Sequence, residues 1–410
     1  MGHLNRFVIL PHVARVSRVE LPIADRDRLR GAVHPSTAAF IAPSHPEFFT
    51  DWMIDKELSR RVAPLIASWA AGDIVNASPF VQRFWLANGL IANTPGGGGK
   101  TYSLQSARAG RGVLLHPEGA VNWQAEKIWP LHPGTIDMAV TLAALLAAED
   151  DPRPVFVVPM TWRLTFTEDV SSRLVAEMHH IERACGLAVW PSRHPGERLA
   201  GLLGGLLSQR AHTLALRRPT LSVASAGPDY FAAQDAMVAE IRGRLTQTFG
   251  PLSDDPTQAI RTVERGLRRS EVREPERARQ HRALLVEFRR LARLDPALYG
   301  HDTLTQEQIA EILKATRLAL VTTGLRNRLH NVMPRAVASR IAHVRVAEPI
   351  DVREGVAQGL ASTALQSTLH RRLQDAADAL GAEVEPAIGP FRIDNTLAVD
   401  NNRHWLNKGA

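Results

Sequence analysis

The chain has 410 residues, of which 45% are apolar and 22% charged, and 49 Lys+Arg against 42 Asp+Glu give a net charge of +7. This composition is ordinary for a globular protein of two or three domains, and its basic balance favours anionic partners such as phospholipid headgroups, phosphorylated cofactors or nucleic acid. The single cysteine, Cys185, excludes an internal disulfide framework, and no apolar run approaches the roughly twenty residues that a membrane-spanning helix needs. Residues 1–16 lack the pattern of a secretory signal, so we expect a cytoplasmic location.

From about residue 33 to 160, apolar runs alternate with helical segments, which is typical of a layered α/β domain. The predicted strands are 38–43, 89–93, 112–116 and 154–159. Each of them ends near Pro, Gly or a polar cluster, where binding sites tend to form in such sheets. Two longer apolar stretches, 138–148 and 199–208, are short enough to be core helices.

The pattern changes to helix across 231–337, where apolar residues recur at three- and four-residue spacing. Within this segment Thr305 and Gln308 form a capping-box pattern, which predicts the start of a further helix. A strand is predicted again at 341–352, and a long helix follows it through 365–380.

The stretch 94–101, TPGGGGKT, is similar to a phosphate-binding loop because four glycines precede Lys100 and Thr101. The full pattern requires a glycine where Thr94 stands, a buried strand before the loop, and a later acid that holds magnesium. No Asp adjoins Glu118 after the next predicted strand. A nucleotide-binding or nucleic-acid-binding protein that uses this loop is therefore one alternative.

Polar residues follow two of the predicted strands. His45 and Asp51 come after the first, and Pro117-Glu118-Gly119 comes after the third. A histidine with a nearby carboxylate can act as a general base, because the imidazole accepts a proton from a hydroxyl while the carboxylate fixes its tautomer and stabilises its charged form. The order of these pieces, rather than either one alone, indicates a catalytic site.

Four short elements occur in a characteristic order: Ser44-His45 through Asp51, Gly89-Leu90-Ile91, Pro117-Glu118-Gly119 and Val158-Pro159. In this order they resemble the motifs of the glycerol-3-phosphate and lysophospholipid acyltransferase family. The resemblance covers about residues 33–160 and again 339–380, where the stretch VRVAEPIDV is similar to the strand and Pro-Ile turn that close the family's domain.

The resemblance implies an α/β fold with a mixed central sheet flanked by helices. It divides the chain into a core of residues 1–225 and 339–385, an α-helical insertion at 226–338 and an irregular tail at 386–410. In such a fold the glycine-rich segment is a flexible flap beside the active site, and a helix follows it at 102–109.

The resemblance also implies an acyltransferase that moves a fatty acyl group from coenzyme A or acyl carrier protein to a hydroxyl of a glycerolipid-type acceptor, without a metal or redox cofactor. His45 is then the general base and Asp51 its orienter. The implied substrate-binding residues, among which Glu118 and Gly119 shape the acceptor pocket and Pro159 its floor, are Gly89, Lys100, Pro117, Glu118, Gly119 and Pro159.

The chain departs from the family's pattern in its spacing and in its basic residues. Five residues rather than four separate His45 from Asp51, and the basic residues that commonly follow the second and third motifs are missing. By resemblance, those basic positions hold the acceptor's phosphate, so the acceptor either lacks a phosphate there or binds it through Lys100, Arg108 or Arg111. A degenerate acyltransferase fold that binds lipid without catalysis is a further alternative.

The extra residue makes the start of the next helix decisive. In a single helix running from Ser44, residues six apart differ by about 240° around the axis, so His45 and Asp51 could not face each other. If the helix begins with Thr50 as its N-cap, the preceding residues form a turn and the imidazole can fold back onto the Asp51 carboxylate. We predict the second arrangement, since only it forms a dyad.

Other features have simpler interpretations. His116 is interpreted as a wall of the pocket, and the aromatic residues near the motifs as core rather than an acyl channel. The arginine-dense segment 261–294 carries interspersed glutamates and is interpreted as a solvated helical face; the alternative is a docking surface for anionic lipid or an acidic carrier protein. We expect peripheral contact with an anionic membrane surface and no binding of nucleic acid.

Overall fold

The computed structural model describes residues 2–62, 66–76, 78–94, 96–189, 192, 194–217, 228–270 and 274–397. Over these ranges the chain forms two compact units. The first contains the described residues of Met1–Thr167 and Met333–Pro386, and the second those of Glu168–Val332 and of the segment from Ala387 onward.

The strands follow one another along the chain as β1 (Val16–Glu20), β2 (Ala38–Pro43), β3 (Ala67–Ala71), β4 (Leu90–Asn93), β5 (Gly112–Leu114), β6 (Val155–Phe166), β7 (Thr303–Leu304), β8 (Arg340–Val346), β9 (Ile350–Asp351) and β10 (Ile393–Asp394).

The helices, to which a π-helix (Asn5–Val13) and a 3-10 turn (Gly389–Phe391) are added, are α1 (Gly2–Leu4), α2 (Ile23–Ala32), α3 (Thr50–Val62), α4 (Gly72–Val75), α5 (Pro79–Ala87), α6 (Gly99–Arg108), α7 (Gly134–Ala148), α8 (Ser171–Ala184), α9 (Pro195–Thr213), α10 (Pro228–Phe249), α11 (Pro256–Ser270), α12 (Pro275–Ala292), α13 (Pro296–Tyr299), α14 (Gln306–Leu320), α15 (Leu325–Val332), α16 (Val352–Ala357) and α17 (Ser362–Ile388). Within the described ranges, none of these helices has both the length and the apolar character needed to span a bilayer.

The first unit is built on one mixed sheet of eight strands in the order β1-β8-β6-β2-β5-β3-β4, with β9 paired to β6. β2 lies at its centre and runs parallel to β6 on one side and to β5 on the other. β3 and β4 continue the parallel part, whereas β8 is antiparallel to β6. Because β2 and β5 are parallel neighbours, the residues that follow them meet at the same edge of the sheet.

The central strands β2 and β5 are buried on both faces. Successive side chains of each strand point to opposite sides of the sheet and enter two different apolar clusters. Phe40 of β2 and Val113 of β5 belong to an apolar cluster with residues of α7 and α17. Ile41 and Leu114, the next residues along the two strands, belong to a second cluster with Met53 of α3. The helix that follows β2 is therefore anchored on the sheet directly after the turn that leads into it.

The second unit is helical and contains a two-stranded antiparallel sheet of β7 and β10. α14 begins with the predicted capping box: the Thr305 hydroxyl accepts from the Gln308 N–H, and the Gln308 side chain accepts from the Thr305 N–H.

The described part of the arginine-dense segment 261–294 lies mainly on α11 and α12 of this unit, and residues 271–273 lie outside the described residues. Exposed Arg279 pairs with Glu276 one helical turn away at 2.9 Å, as expected for a solvated helical face. Arg290, by contrast, is buried against Glu287 at 2.5 Å. The solvated-face interpretation therefore fits only part of the segment.

The predicted α/β architecture with a mixed central sheet is confirmed. The strand predicted at 38–43 coincides with β2, and those at 89–93, 112–116 and 154–159 are β4, β5 and β6. Their bounds shift: β5 ends two residues earlier than predicted, and β6 runs on to Phe166.

Three predicted boundaries differ from the structure. The first unit ends at Thr167 rather than 225, because α8 packs against α9 and α14 and so belongs with the helical unit. The strand predicted at 341–352 is two strands, β8 and β9, separated by a segment that contains Pro349. The tail is only partly irregular, since α17 continues to Ile388 and β10 pairs with β7; residues 398–410 lie outside the described residues.

Candidate active site

A turn between β2 and α3 brings His45 and Asp51 together. α3 begins at Thr50, so the residues before it form a turn, in which Phe49 has a φ of 69°. Nδ1 of His45 lies 2.5 Å from Oδ2 of Asp51. The structure thus has the second of the two arrangements considered from the sequence. The Thr50 hydroxyl does not cap the helix, because it has no hydrogen-bond partner among the described residues.

A second histidine and a second aspartate complete the group. The imidazole of His116, which follows β5, stacks on that of His45 with ring centroids 4.1 Å apart and an interplanar angle of 20°. Its Nε2 lies 3.3 Å from Oδ2 of Asp55 and 3.9 Å from Oδ2 of Asp51. Its Nδ1 lies 3.1 Å from the Ser44 carbonyl oxygen. Asp51 and Asp55 are four residues apart on α3, so both carboxylates lie on the face that meets the imidazoles.

Burial and the neighbouring charges together determine which side chains of this group are charged. Burial, with the nearby charge of His116, lowers the pKa of His45 against the opposing effect of Asp51. Burial also disfavours the charged form of His116, but the hydrogen bond and charge of Asp55 outweigh it and raise the pKa of His116 to about 9. Burial raises the pKa of Asp55. At neutral pH, His45 is therefore the neutral imidazole and His116 the charged one.

Glu118 is buried and holds the turn that carries His45. Its carboxylate accepts from the His45 N–H at 2.6 Å, from the Trp129 N–H at 3.0 Å and from the Asn122 side-chain amide at 2.6 Å. The Asn122 N–H donates in turn to the His45 carbonyl oxygen at 3.0 Å. Burial raises the pKa of Glu118 to about 7 against these hydrogen bonds. Contact of Glu118 with an acceptor stays a prediction.

The neighbours of Glu118 are fixed by packing. Gly119 has a φ of +69°, and a Cβ at this position would lie 2.2 Å from Cδ2 of His132, so only glycine fits without a shift of that ring. The Pro117 carbonyl oxygen accepts from the His132 N–H at 2.7 Å. Pro159 lies in β6 opposite Ala42, on the strand next to the one that leads to His45. The roles of Pro117, Gly119 and Pro159 in substrate binding stay predictions.

Gly89 and Lys100 are not part of the His45 group. Both flank β4, and two strands, β5 and β3, lie between β4 and β2. At the usual strand spacing, β4 is on the order of 14 Å from β2. Gly89 has a φ of +75° and faces α3, where a Cβ would lie 3.8 Å from Nζ of Lys56. Lys100 is exposed in the first turn of α6. Their part in substrate binding stays a prediction.

The glycine-rich segment joins β4 to α6, so a strand precedes it and a helix follows it, as in a phosphate-binding loop. The helix begins at Gly99, earlier than the predicted 102. Glu118, the acid that follows β5, already accepts three protein hydrogen bonds, which leaves its carboxylate engaged within its own turn.

His45, Asp51 and His116 offer ligand atoms that all lie within 4.8 Å of one another, which makes them a possible metal-binding group. Two ligands of one tetrahedral zinc, at bond lengths of about 2.0 to 2.1 Å, would lie about 3.3 Å apart. Nδ1 of His45 and Oδ2 of Asp51 are closer, at 2.5 Å. This separation is too short for two ligands of one tetrahedral zinc ion.

Asp55 is not among the site residues predicted from the sequence, and His116 is predicted only as a wall of the pocket. A signal for both exists once α3 is taken to begin at Thr50. Asp51 and Asp55 are then one turn apart on the same helical face, and His116 follows a strand that neighbours β2.

Comparison with known proteins adds no family assignment. A scan against models of protein families finds none that matches the chain, and a search of curated proteins finds no match to it.

Proposed function

We propose that the protein is an O-acyltransferase. It moves a fatty acyl group from a thioester, acyl-CoA or acyl carrier protein, to a hydroxyl of a glycerolipid-type acceptor such as a lysophospholipid or glycerol phosphate. The observation that carries the proposal is the separation of 2.5 Å between Nδ1 of His45 and Oδ2 of Asp51 at the end of the central strand. General-base activation of a hydroxyl needs such a pair, and the motif order around it resembles that of the glycerolipid acyltransferases.

Asp51 holds a proton on Nδ1 of His45, so that Nε2 is the basic nitrogen. Nε2 takes the proton of the acceptor hydroxyl while the acceptor oxygen attacks the thioester carbonyl carbon. A C–O bond forms, the C–S bond breaks, and the proton passes from the imidazolium to the leaving thiolate. Asp51 stabilises the imidazolium in between. The His45 side chain is 16% exposed, which leaves access for the acceptor.

Contact with an anionic membrane surface is part of the proposal, and α5 supports it. Phe80, Phe84 and Leu86 on this helix are exposed, at 82%, 38% and 52%. Residues 74–117 contain no Asp or Glu, but they contain four Lys and Arg residues. Arg108, one of the four, pairs with Glu149. Apolar side chains beside the remaining positive charge suit the boundary between acyl chains and anionic headgroups. With this contact, the protein acts at the cytoplasmic face of a membrane.

Incubation of the purified protein with labelled acyl-CoA or acyl carrier protein and a panel of lysophospholipids, glycerol phosphate and water tests the proposal. We expect transfer to a hydroxyl acceptor, and we expect His45→Ala to abolish it. No transfer to any acceptor, with lipid binding retained, would instead support a lipid-binding module without catalysis.

A further inference from the structure

We propose that His116 is a positioning residue for the reaction: Asp55 and the Ser44 carbonyl hold it as a fixed cation, and its charge, stacked on His45, keeps His45 neutral and able to act as a base. This inference rests on the proposed function for its consequence in catalysis. The state of the two imidazoles can be measured without it.

The surroundings of the His116 ring favour its protonated form. Both of its nitrogens face oxygen acceptors: Nδ1 the Ser44 carbonyl oxygen at 3.1 Å, and Nε2 the Asp55 carboxylate at 3.3 Å. A neutral imidazole has one N–H and can satisfy only one acceptor, whereas the imidazolium donates from both nitrogens. The site therefore fits the protonated ring.

The position of this cation disfavours a proton on the basic nitrogen of His45. The stacked rings have centroids 4.1 Å apart, so a proton added to His45 would place two positive charges almost in contact within a largely buried group. Asp51 acts in the opposite direction, since its Oδ2 lies 2.5 Å from Nδ1 of His45 and favours protonation. Asp51 thus favours the imidazolium, which cannot accept a proton, whereas the charge of His116 acts together with burial to favour the neutral ring.

The other charged groups near His116 do not cancel this effect. Asp55 and Asp51 face it from α3, and Glu118, which lies two residues along the chain, also lowers the energy of its charged form. Lys56, the neighbour of Asp55, donates to the Asn88 carbonyl oxygen instead. The nearby groups thus hold the positive charge on His116 rather than on His45.

The direct test is a histidine NMR titration of the full-length protein and of His116→Phe. We expect the pKa of His45 to rise by on the order of one pH unit or more when the stacked cation is removed. His116→Gln gives a second variant in case the phenyl ring does not fit, and Asp55→Asn should shift His45 in the same direction. A His45 titration that is unchanged, or that moves down, in correctly folded variants would overturn the inference.

The kinetic test uses the pH profile of kcat/KM for acyl transfer. The acidic limb should move to higher pH in His116→Phe by the same amount as the NMR titration, whereas a merely structural role would lower the rate at every pH. His370→Gln is the matched control, because this histidine is also partly buried and contacts a carbonyl oxygen, that of Ile128, at 3.1 Å. If no acyl transfer is found but His45 shifts as expected, the proposed function fails and the inference about the pair stands.

Discussion

Replacement of Asp51 by asparagine isolates the contribution of the dyad carboxylate. Asparagine keeps the shape of the side chain, and its oxygen can still accept from the Trp52 N–H, as Oδ1 of Asp51 does at 2.5 Å. The second oxygen, 2.5 Å from Nδ1 of His45, becomes an amide NH2. This donor favours the tautomer that carries its proton on Nε2, so the nitrogen that must accept the hydroxyl proton is blocked.

The size of the effect follows from these contacts. The substitution removes both the correct tautomer and the charge that stabilises the imidazolium, and losses of this kind reduce kcat by about 10² to 10⁴-fold. That range corresponds to about 3 to 5.5 kcal/mol of transition-state stabilisation. Because the acceptor does not contact Asp51 directly in this mechanism, KM should change little.

The assay is transfer from labelled acyl-CoA to the best acceptor of the panel, with kcat and KM determined separately and thermal unfolding measured in parallel. Asp137→Asn is the matched control, since Asp137 also lies in the first turn of a helix but is exposed. His45→Ala combined with Asp51→Asn should be little worse than His45→Ala alone, because the pair acts as a unit. A kcat within threefold of wild type in Asp51→Asn, with the fold intact, would refute the dyad mechanism.

Three further predictions concern other parts of the molecule. The pKa of Glu118 is raised from 4.5 to about 7 in the folded protein, so the stability it contributes is complete below pH 4.5 and is lost as pH rises to about 7. Glu118→Gln should lack this part of the decline; urea unfolding at pH 5 and 8 measures it, and an equal decline in both proteins would contradict the reasoning. Lys100 is not expected to bind nucleotide, so calorimetry should detect no ATP binding; micromolar, magnesium-dependent affinity that Lys100→Ala removes would show that the glycine loop is a phosphate-binding loop after all. Co-sedimentation with anionic vesicles should occur at low salt, weaken as salt is added, and weaken in Phe80→Ser; no binding at low salt would count against the membrane contact.

The sequence predicts the centre of the sheet better than its edges. β2 is predicted with its exact ends because every one of its residues is apolar and buried on both faces. β1 carries exposed Ser17 and Arg18 between buried Val16 and Val19, and β3 is a short run of small residues around Trp69. Neither has the apolar run or the alternation that marks a strand, and both are set by pairing with β8 and β4, which no local pattern contains.

The residues of the candidate site likewise divide into those whose contact is set by local sequence and those whose contact is set by strand pairing. His45 and Asp51 could be paired from sequence because the local choice between two helix starts decides their geometry. His116 and Asp55 could not be joined to them, because their contact depends on β5 lying directly beside β2, which is a property of the sheet order. Glu118 has in addition a structural part that its motif does not indicate, since its carboxylate binds three protein donors and holds the turn of His45; its contact with an acceptor stays a prediction.

The turn that carries His45 also depends on a strand from the far end of the chain. Glu47 lies buried in this turn, and its carboxylate accepts two hydrogen bonds from Arg340 of β8, at 2.8 and 3.0 Å. Arg340 donates in addition to the Ala14 carbonyl oxygen at 3.0 Å. A buried carboxylate that loses its guanidinium partner costs about 3 to 5 kcal/mol. Residues 1–167 alone therefore lack the guanidinium that pairs with Glu47 in the turn that carries His45. The motifs after β2 and β5 supply the imidazoles and carboxylates. β8 fixes the loop on which the base depends, although Arg340 lies 293 positions after Glu47 in the chain.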